Sequence, residues 1–298
     1  MTEGIILLDK PPGQTSFQSL AELKRRLGTR RVGHAGTLDR FAEGLLVVLA
    51  GPMTRLCAFA TSLDKEYVAV LTFGRGTTTL DPEGEVTAEG RVPRAEEVAA
   101  VLPSFMGTIL QVPPEYSAVH VGGRRAYQAA RAGQSPVLAP REVTIEKLEL
   151  ESCAGPEFTL RISCSKGTYV RSLARDIAAR LGTCAFVSRL RRTRIGGFRL
   201  AEAVRAEDFD PGHDLLPPGA FFEAAPGLGR VTVRESRAAG LANGGLLDDG
   251  CFEEGPARDG TFGAFSRGGR LLAVVERASG AWRYAAVFPG EPAQERAR

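Results

Sequence analysis

Two apolar runs and one helical pattern stand at the beginning of the chain. Ile5-Ile6-Leu7-Leu8 has no polar interruption, and such a run predicts a strand that is buried on both faces. Residues 45–50 are also entirely apolar and predict a second buried strand. Between them, apolar residues recur three or four positions apart, which predicts a helix that Thr15 or Ser16 caps and Gly28 ends. The apolar positions of this helix are Phe17, Leu20, Leu23 and Leu27.

Alternating apolar and polar residues predict two further strands, at 65–73 and 158–164, each with one buried face. Residues 95–102 predict a short helix. The turn Ser165-Lys166-Gly167-Thr168 leads into a longer helix whose apolar residues share one face. Arg171 lies in the first turn of this helix and off its apolar face, where a cation opposes the helix dipole. This position indicates a carboxylate or phosphate nearby, and a solvated arginine is the alternative.

The pattern changes in the last third of the chain. Residues 210–227 are rich in Pro and Gly and predict a linker, after which short strand patterns are separated by glycines. We therefore predict an α+β protein with two domains. Residues 1–212 form the larger domain around a mixed, largely antiparallel sheet, 213–228 a linker, 229–290 a small β-barrel, and 291–298 a tail.

Composition narrows the class of protein. The chain has 298 residues, 43% of them hydrophobic and 24% charged, as in ordinary globular proteins. No apolar run approaches the about 20 residues of a membrane span, and the first residues lack a signal-peptide pattern. We expect a cytoplasmic protein, and a monomer because no coiled-coil heptads occur. Five scattered cysteines and three distant histidines have no metal-ligand spacing, so we expect no metal site.

Basic residues are clustered although the net charge is only +3. Segregated arginine clusters favour a surface that binds a polyanion such as nucleic acid, rather than ordinary solvated helix faces. The clusters are Lys24-Arg25-Arg26, Arg30-Arg31, Arg124-Arg125 and residues 189–194.

A glycine-rich stretch, Gly33-His34-Ala35-Gly36-Thr37-Leu38-Asp39, lies between the first predicted helix and the second buried strand. Its pattern is typical of a loop, which would carry both His34 and Asp39. An aspartate here is either a turn former and cap or a reactive group aimed by the rigid elements around it. The phosphate-binding lysine of a P-loop is absent, so no nucleotide cofactor is predicted.

Several motifs occur in a fixed order: Leu7-Leu8-Asp9-Lys10-Pro11, the glycine-rich stretch, Lys65-Glu66-Tyr67, residues 164–171 and Leu190-Arg191-Arg192. In this order they resemble the bacterial TruB-type tRNA pseudouridine synthases, over residues 4 to about 210. The resemblance implies isomerisation of the uridine at position 55 in the tRNA T-loop, with tRNA as partner and no cofactor. The C-terminal part is similar, much more loosely, to the PUA-type RNA-binding module.

The resemblance also implies roles for individual residues. Asp39 would be the nucleophile and Arg171 its ion-pair partner, while Tyr67 would face the flipped uracil and assist removal of the C5 proton. The resemblance leaves open whether Asp39 attacks C1′, first removes a proton from C2′, or attacks the base. His34 would lie beside the flipped nucleotide. Supporting walls of the pocket would be Lys10, Tyr169 and Leu190.

A thumb-like insertion at about 107–140 is implied as well, with a short helix carrying Tyr127 and Arg131. Arg124 and Arg125 would contact RNA phosphates there. The chain departs from the family at Thr78, where many members carry an aspartate in a turn that we place at residues 74–84. Asp81 is not an obvious replacement for it. Two alternatives remain: an RNA-binding protein without chemistry, and a related synthase that acts on another RNA.

Overall fold

A nine-stranded sheet forms the centre of the protein in the computed structural model, which describes residues 3–117, 120–121, 124–125 and 138–289. Seven strands form a continuous path. In sheet order they are β1 (Gly4–Lys10), β3 (Glu43–Ala50), β12 (Ala185–Ile195), β4 (Lys65–Phe73), β11 (Glu157–Cys164), β10 (Arg141–Ala154) and β7 (Gly107–Gln111). β2 (Val32–Ala35) pairs with β3, and β13 (Phe198–Arg199) pairs with β12.

Strand directions confirm the predicted mixed and largely antiparallel sheet. Within the described part of this sheet, β3 and β12 are the one parallel pair, joined at Glu43 and Gly44. Gly44 has φ +98°, and a Cβ atom there would collide with the backbone of Arg192 on β12. The parallel contact therefore depends on a glycine at this position.

Six α-helices are described, together with several short 3-10 helices. The α-helices are α1 (Ala21–Leu27), α2 (Cys57–Ser62), α3 (Ala95–Val101), α4 (Val170–Arg180), α5 (Pro218–Ala224) and α6 (Glu235–Ala242). The 3-10 helices are Gln18–Leu20, Gly51–Leu56, Leu102–Phe105, Leu200–Glu202 and Asp249–Cys251. The longest, α4, buries Leu173 and Ile177 against the sheet. None of the helices within the described ranges has the length and apolar character that membrane crossing requires.

Two predictions about the first hundred residues need correction. Phe17 does not join the buried face of the first helix: it precedes the 3-10 turn and is 70% exposed, whereas Leu20, Leu23 and Leu27 are buried. The predicted turn at 74–84 contains a strand, β5 (Arg75–Thr77), which pairs with β6 (Val86–Glu89). Apolar spacing reports a tendency to be buried, but the path of the chain decides which of these residues reaches the core.

The C-terminal strands form a separate four-stranded sheet in the order β14 (Leu228–Thr232), β15 (Gly260–Phe265), β16 (Leu271–Ala278) and β17 (Ala281–Val287). They do not join the main sheet, as predicted. The predicted small β-barrel is not closed within the described residues, because β14 and β17 are the two edges of a four-stranded sheet. β14 pairs with β15 in parallel and lies at the edge opposite β17.

The segment at 213–228 is not a free linker. Leu216 exchanges two backbone hydrogen bonds with Ile5 on β1, at 3.0 and 2.8 Å. Phe221 and Phe222 of α5 are buried, and the Phe222 ring meets Phe265 of the C-terminal sheet edge-on, with centroids 5.3 Å apart. One apolar core thus continues from the main sheet through α5 into the C-terminal sheet. The exact domain boundaries stay a prediction.

Candidate active site

An ion pair between Asp39 and Arg171 forms the centre of the site. Asp39 follows β2 in an irregular segment, and Arg171 lies in the first turn of α4. Arg171 Nη2 donates to Asp39 Oδ1 at 3.0 Å, and Arg171 Nε lies 2.9 Å from Oδ2 without the alignment of a hydrogen bond. Arg171 is 3% exposed. The structure therefore brings together two residues that lie 132 positions apart in the sequence.

Asp81 supplies a second carboxylate to the same arginine. Arg171 Nη1 donates to Asp81 Oδ2 at 3.2 Å and to the Thr79 carbonyl oxygen at 2.9 Å. Asp81 is 4% exposed, and its other oxygen accepts hydrogen bonds from the Thr79 hydroxyl and the Glu83 amide. Asp81 is not an obvious replacement in the sequence for the aspartate that many family members carry at position 78, yet its carboxylate contacts Arg171 in the structure. The turn after β5 brings Asp81, rather than Thr78, to the guanidinium.

A cavity of about 530 Å³ opens over this network. Its lining includes Asp39, Asp81, Tyr116 and Arg171 together with the residues of the turn after β5. The Asp39 side chain is 38% exposed, in contrast to 4% for Arg171, so the cavity exposes the carboxylate far more than the arginine. Desolvation raises the pKa of Asp39, and the charge of Arg171 opposes that increase. Asp81 raises it further, because two carboxylates share one cation.

Lys10 places a second positive charge close to Asp39. It is fully buried at the end of β1, and its ammonium donates to the carbonyl oxygens of Ala42, at 2.6 Å, and Pro11, at 2.8 Å. Burial lowers the pKa of Lys10 to about 8, and the nearby Asp39 charge acts in the opposite direction. Lys10 therefore ties the end of β1 to the segment that follows Asp39.

Tyr67 and Arg192 face each other as a cross-strand pair between β4 and β12. Tyr67 is 8% exposed and lies close enough to Asp39 to be influenced by its charge; burial raises the pKa of Tyr67, whereas Arg192 lowers it. Arg192 is 1% exposed and donates to the carbonyl oxygens of Leu45, at 2.8 Å, and Gly36, at 3.0 Å. The prediction that the whole 189–194 cluster lies on the surface is thus wrong for Arg192, whose buried guanidinium contacts the glycine-rich stretch at Gly36.

His34 lies on β2 rather than in a loop, opposite Val48 of β3, so the loop prediction is wrong for this residue. Its Nδ1 is buried and has no hydrogen-bond partner among the described residues. Desolvation lowers the pKa of His34, and the charges of Arg192 and Lys24 lower it further. The imidazole is therefore biased towards its neutral form.

Tyr169 precedes α4 and is fixed by the side chain of Gln111. Gln111 accepts from the Tyr169 amide at 2.8 Å and donates to its carbonyl oxygen at 3.2 Å. The Arg141 guanidinium stacks over the Tyr169 ring at 4.6 Å from the centroid. Leu190 is buried on β12 in the same apolar cluster as Tyr67. Sequence reasoning missed Gln111, for which no motif or periodicity gave a signal.

The thumb-like insertion lies mostly outside the described residues. Arg124–Arg125 forms the two-residue strand β9, paired with β8 (His120–Val121), and only the backbone of these strands is described. The predicted helix with Tyr127 and Arg131 lies outside the described residues, as do residues 291–298. In the part of the chain that is described, no group of three or more His, Cys, Asp or Glu side chains is arranged to hold a metal ion.

Comparison with known proteins agrees with this architecture. The model of the TruB family pseudouridylate synthase N-terminal domain matches residues 24–170, and that of the tRNA pseudouridylate synthase B C-terminal domain matches residues 171–213. The chain belongs to the TruB family of pseudouridylate synthases, which are isomerases. The family resemblance inferred from the motifs is thereby confirmed.

Curated relatives extend the match over almost the whole chain. The tRNA pseudouridine synthase B of Borreliella burgdorferi strain ZS7 is 46% identical over 211 residues, covering 70% of this chain and 75% of that relative. The tRNA pseudouridine synthase B of Thermobifida fusca is 37% identical over 300 residues, covering 97% of this chain and all of the relative. Among solved structures, a chain of a Cbf5-Nop10-Gar1 complex superposes with a TM-score of 0.72 at 26% identity, covering 97% of this chain and 84% of that one.

Proposed function

We propose that the protein converts uridine 55 in the T-loop of tRNA to pseudouridine, with Asp39 as the nucleophile. One observation carries the assignment: the Asp39 carboxylate is held by a buried arginine and is open to a cavity on its other side. The relatives named tRNA pseudouridine synthase B support tRNA as the substrate. Pockets for small ligands usually have volumes of about 300–1,000 Å³. The cavity of about 530 Å³ lies in this range, so it has room for a single flipped nucleotide.

The reaction breaks the bond between N1 and C1′ and makes one between C5 and C1′. N1 gains a proton and C5 loses one, so the exchange is balanced without an oxidant, a reductant or a metal. A stacked base cannot reach Asp39, so the uridine has to leave the T-loop stack and enter the cavity. The ionised carboxylate then acts on the sugar, and the network fits both attack at C1′ and removal of the C2′ proton.

Arg171 keeps Asp39 ionised and oriented, because its planar guanidinium contacts both carboxylate oxygens at once. Tyr67 then assists removal of the C5 proton after the new C–C bond has formed. Arg192 favours this step, since a positive charge opposite the phenol stabilises negative charge on its oxygen. Tyr67 is 8% exposed and does not line the cavity, so the uracil reaches its ring only if side chains between them move.

Release of tritium from tRNA that carries C5-labelled uridine tests the proposal directly. We expect the wild-type protein to release tritium. A tRNA with cytidine at position 55 should release none, which would assign the reaction to that position. Asp39→Asn keeps the shape of the side chain and removes the nucleophile, so release should stop in a single-turnover assay with excess enzyme. Asp176→Asn, which breaks a half-exposed contact with Arg175 on α4, is the matched control. Appreciable release by Asp39→Asn would exclude Asp39 as the nucleophile.

Normal tRNA binding by the wild-type protein without any tritium release would favour the alternative of an RNA-binding protein without chemistry. We further propose that residues 1–212 carry the catalysis, that 229–290 form a PUA-like RNA-binding domain, and that the protein acts as a cytoplasmic monomer. Cross-linking of bound tRNA to the C-terminal sheet, and a molar mass of one chain in sedimentation equilibrium, are the measurements that check these points.

A further inference from the structure

Phe17 is exposed in a way that its packing does not explain. Its side chain is 70% exposed, although a phenylalanine at this spacing would be expected to join the buried face of the following helix. A single exposed apolar side chain is ordinary on a protein surface, so a role for Phe17 depends on the residues around it. The residue lies just before the 3-10 helix Gln18–Leu20, at the entrance to α1.

The backbone around Phe17 is fixed to the segment that carries Asp39. Ser16 is buried, and its hydroxyl accepts from the Leu38 amide at 2.9 Å and donates to the Leu38 carbonyl oxygen at 3.1 Å. On the other side of Asp39, the Gly13 amide donates to the Arg40 carbonyl oxygen at 2.8 Å. These contacts hold residues 13–16 against residues 38–40. Phe17 is therefore displayed at a fixed position relative to the nucleophile.

Lys24 adds a positive charge at the same place. Its ammonium lies 4.3 Å from the centroid of the Phe17 ring, one turn into α1. Lys24 makes no salt bridge with any carboxylate of the described residues. It is also close enough to His34 for its charge to lower the pKa of that imidazole. An aromatic ring and an ammonium group therefore lie side by side next to the Asp39 segment.

We propose that Phe17 and Lys24 form a subsite for a second nucleotide of the RNA substrate, outside the cavity that receives the flipped uridine. The base of that nucleotide stacks on the open face of the Phe17 ring, and its phosphate contacts the Lys24 ammonium. Aromatic rings beside basic groups bind unpaired nucleobases in this manner, with little dependence on the sequence. The subsite rests on the proposed function, because it requires an RNA whose bases are unstacked near Asp39.

Variants at position 17 separate stacking from simple hydrophobic contact. Because Phe17 is exposed, substitutions there should leave thermal unfolding unchanged. Phe17→Leu keeps an apolar side chain and removes the ring, and we expect it to raise the Kd for a T-arm stem-loop by about 5-fold or more. Phe17→Trp should bind at least as tightly as the wild type. In saturating RNA, the single-turnover rate should change less than the Kd.

Lys24→Met tests the phosphate contact. It keeps the length of the side chain and should reduce the slope of log K against log salt by about one. Lys147→Met is the matched control, because Lys147 already pairs with Glu149 at 3.0 Å on β10.

Stem-loops with single abasic sites then identify the stacked base. The abasic site at that position should weaken binding to the wild type and have little further effect on Phe17→Leu.

Equal binding by the wild type and Phe17→Leu would overturn the subsite, and so would a Trp variant no better than Leu. Equal losses at every abasic position would also contradict it, because no single base would then stack on the ring. A concentration-dependent molar mass that is lost in Phe17→Leu would identify the surface as a contact between two copies of the chain instead. These outcomes differ from failure of the proposed function, in which the wild-type protein itself forms no pseudouridine.

Discussion

Asp81→Asn should slow pseudouridine formation without removing the nucleophile. Asn keeps an acceptor for the Thr79 hydroxyl and the Glu83 amide, so the turn after β5 should remain in place. The substitution removes a charge that lies 3.2 Å from Arg171, in a pair whose two side chains are 4% and 6% exposed. At an effective dielectric constant of about 20, that interaction amounts to about 5 kcal/mol before desolvation is subtracted.

The net effect should be smaller than this interaction energy. Breaking a buried ion pair costs about 3–5 kcal/mol when the remaining charge has no partner. Here Asp39 still neutralises Arg171, so we expect a loss of about 2–3 kcal/mol in the free energy of unfolding. We expect kcat to fall about 10- to 100-fold, because each 1.4 kcal/mol of lost transition-state stabilisation is about tenfold.

The pH dependence of single-turnover rates distinguishes this explanation from a general loss of structure. Asp39 must be ionised to react, so the rate falls as the pH drops through its pKa, which lies above the ordinary value of 3.8. Asp81 contributes to that increase, and its removal should therefore move the acid limb to lower pH. Denaturant unfolding and tRNA affinity are measured in parallel.

Thr78 supplies both the control and the rescue. Thr78→Ala removes a hydroxyl that contacts the Glu85 amide and not Arg171, so its rate should stay near the wild-type value. Thr78 lines the cavity as well, so Thr78→Asp in the Asp81→Asn background should restore part of the rate. The reasoning is refuted if Asp81→Asn reacts at the wild-type rate with an unchanged acid limb.

Three further single substitutions and one double substitution test other parts of the structure. Arg171→Lys keeps the charge but loses the planar two-oxygen contact, and single-turnover rates should fall at least about tenfold with little change in tRNA affinity; a wild-type rate would mean that charge alone suffices. Tyr67→Phe should preserve tRNA binding and slow tritium release, measured by rapid quench, more than it slows formation of the enzyme–RNA complex; equal slowing of the two processes would contradict a late role for Tyr67. Gly44→Ala should lower the free energy of unfolding by at least about 2 kcal/mol in urea titrations, because its φ is positive and β12 leaves no room for a methyl group; unchanged stability would show that the contact can relax. Arg124→Ala with Arg125→Ala should reduce the salt dependence of tRNA binding by up to about one unit of slope for each arginine, and an unchanged slope would identify a solvated face.

Local patterns in the sequence determined the main strands and helices. The alternation at 65–73 matches the bounds of β4, because successive side chains of a strand point to opposite faces of the sheet. The apolar run at 45–50 lies within β3. The position of Arg171, a cation in the first turn of a helix, already indicated an acidic partner. The motifs sufficed to identify the family because their order along the chain is specific, although each motif alone is weak.

The tertiary structure alone decided which residues meet. Arg192 was one of six residues in a basic cluster, and only the pairing of β12 with β3 and β4 turns its side chain into the protein. Asp81 is the partner of Arg171 because the turn after β5 returns towards α4, which no local spacing records. The open C-terminal sheet and the shared core at Phe222 follow in the same way from long-range packing. Periodicity reports whether a side chain is buried, whereas its partner depends on segments that are distant in the sequence.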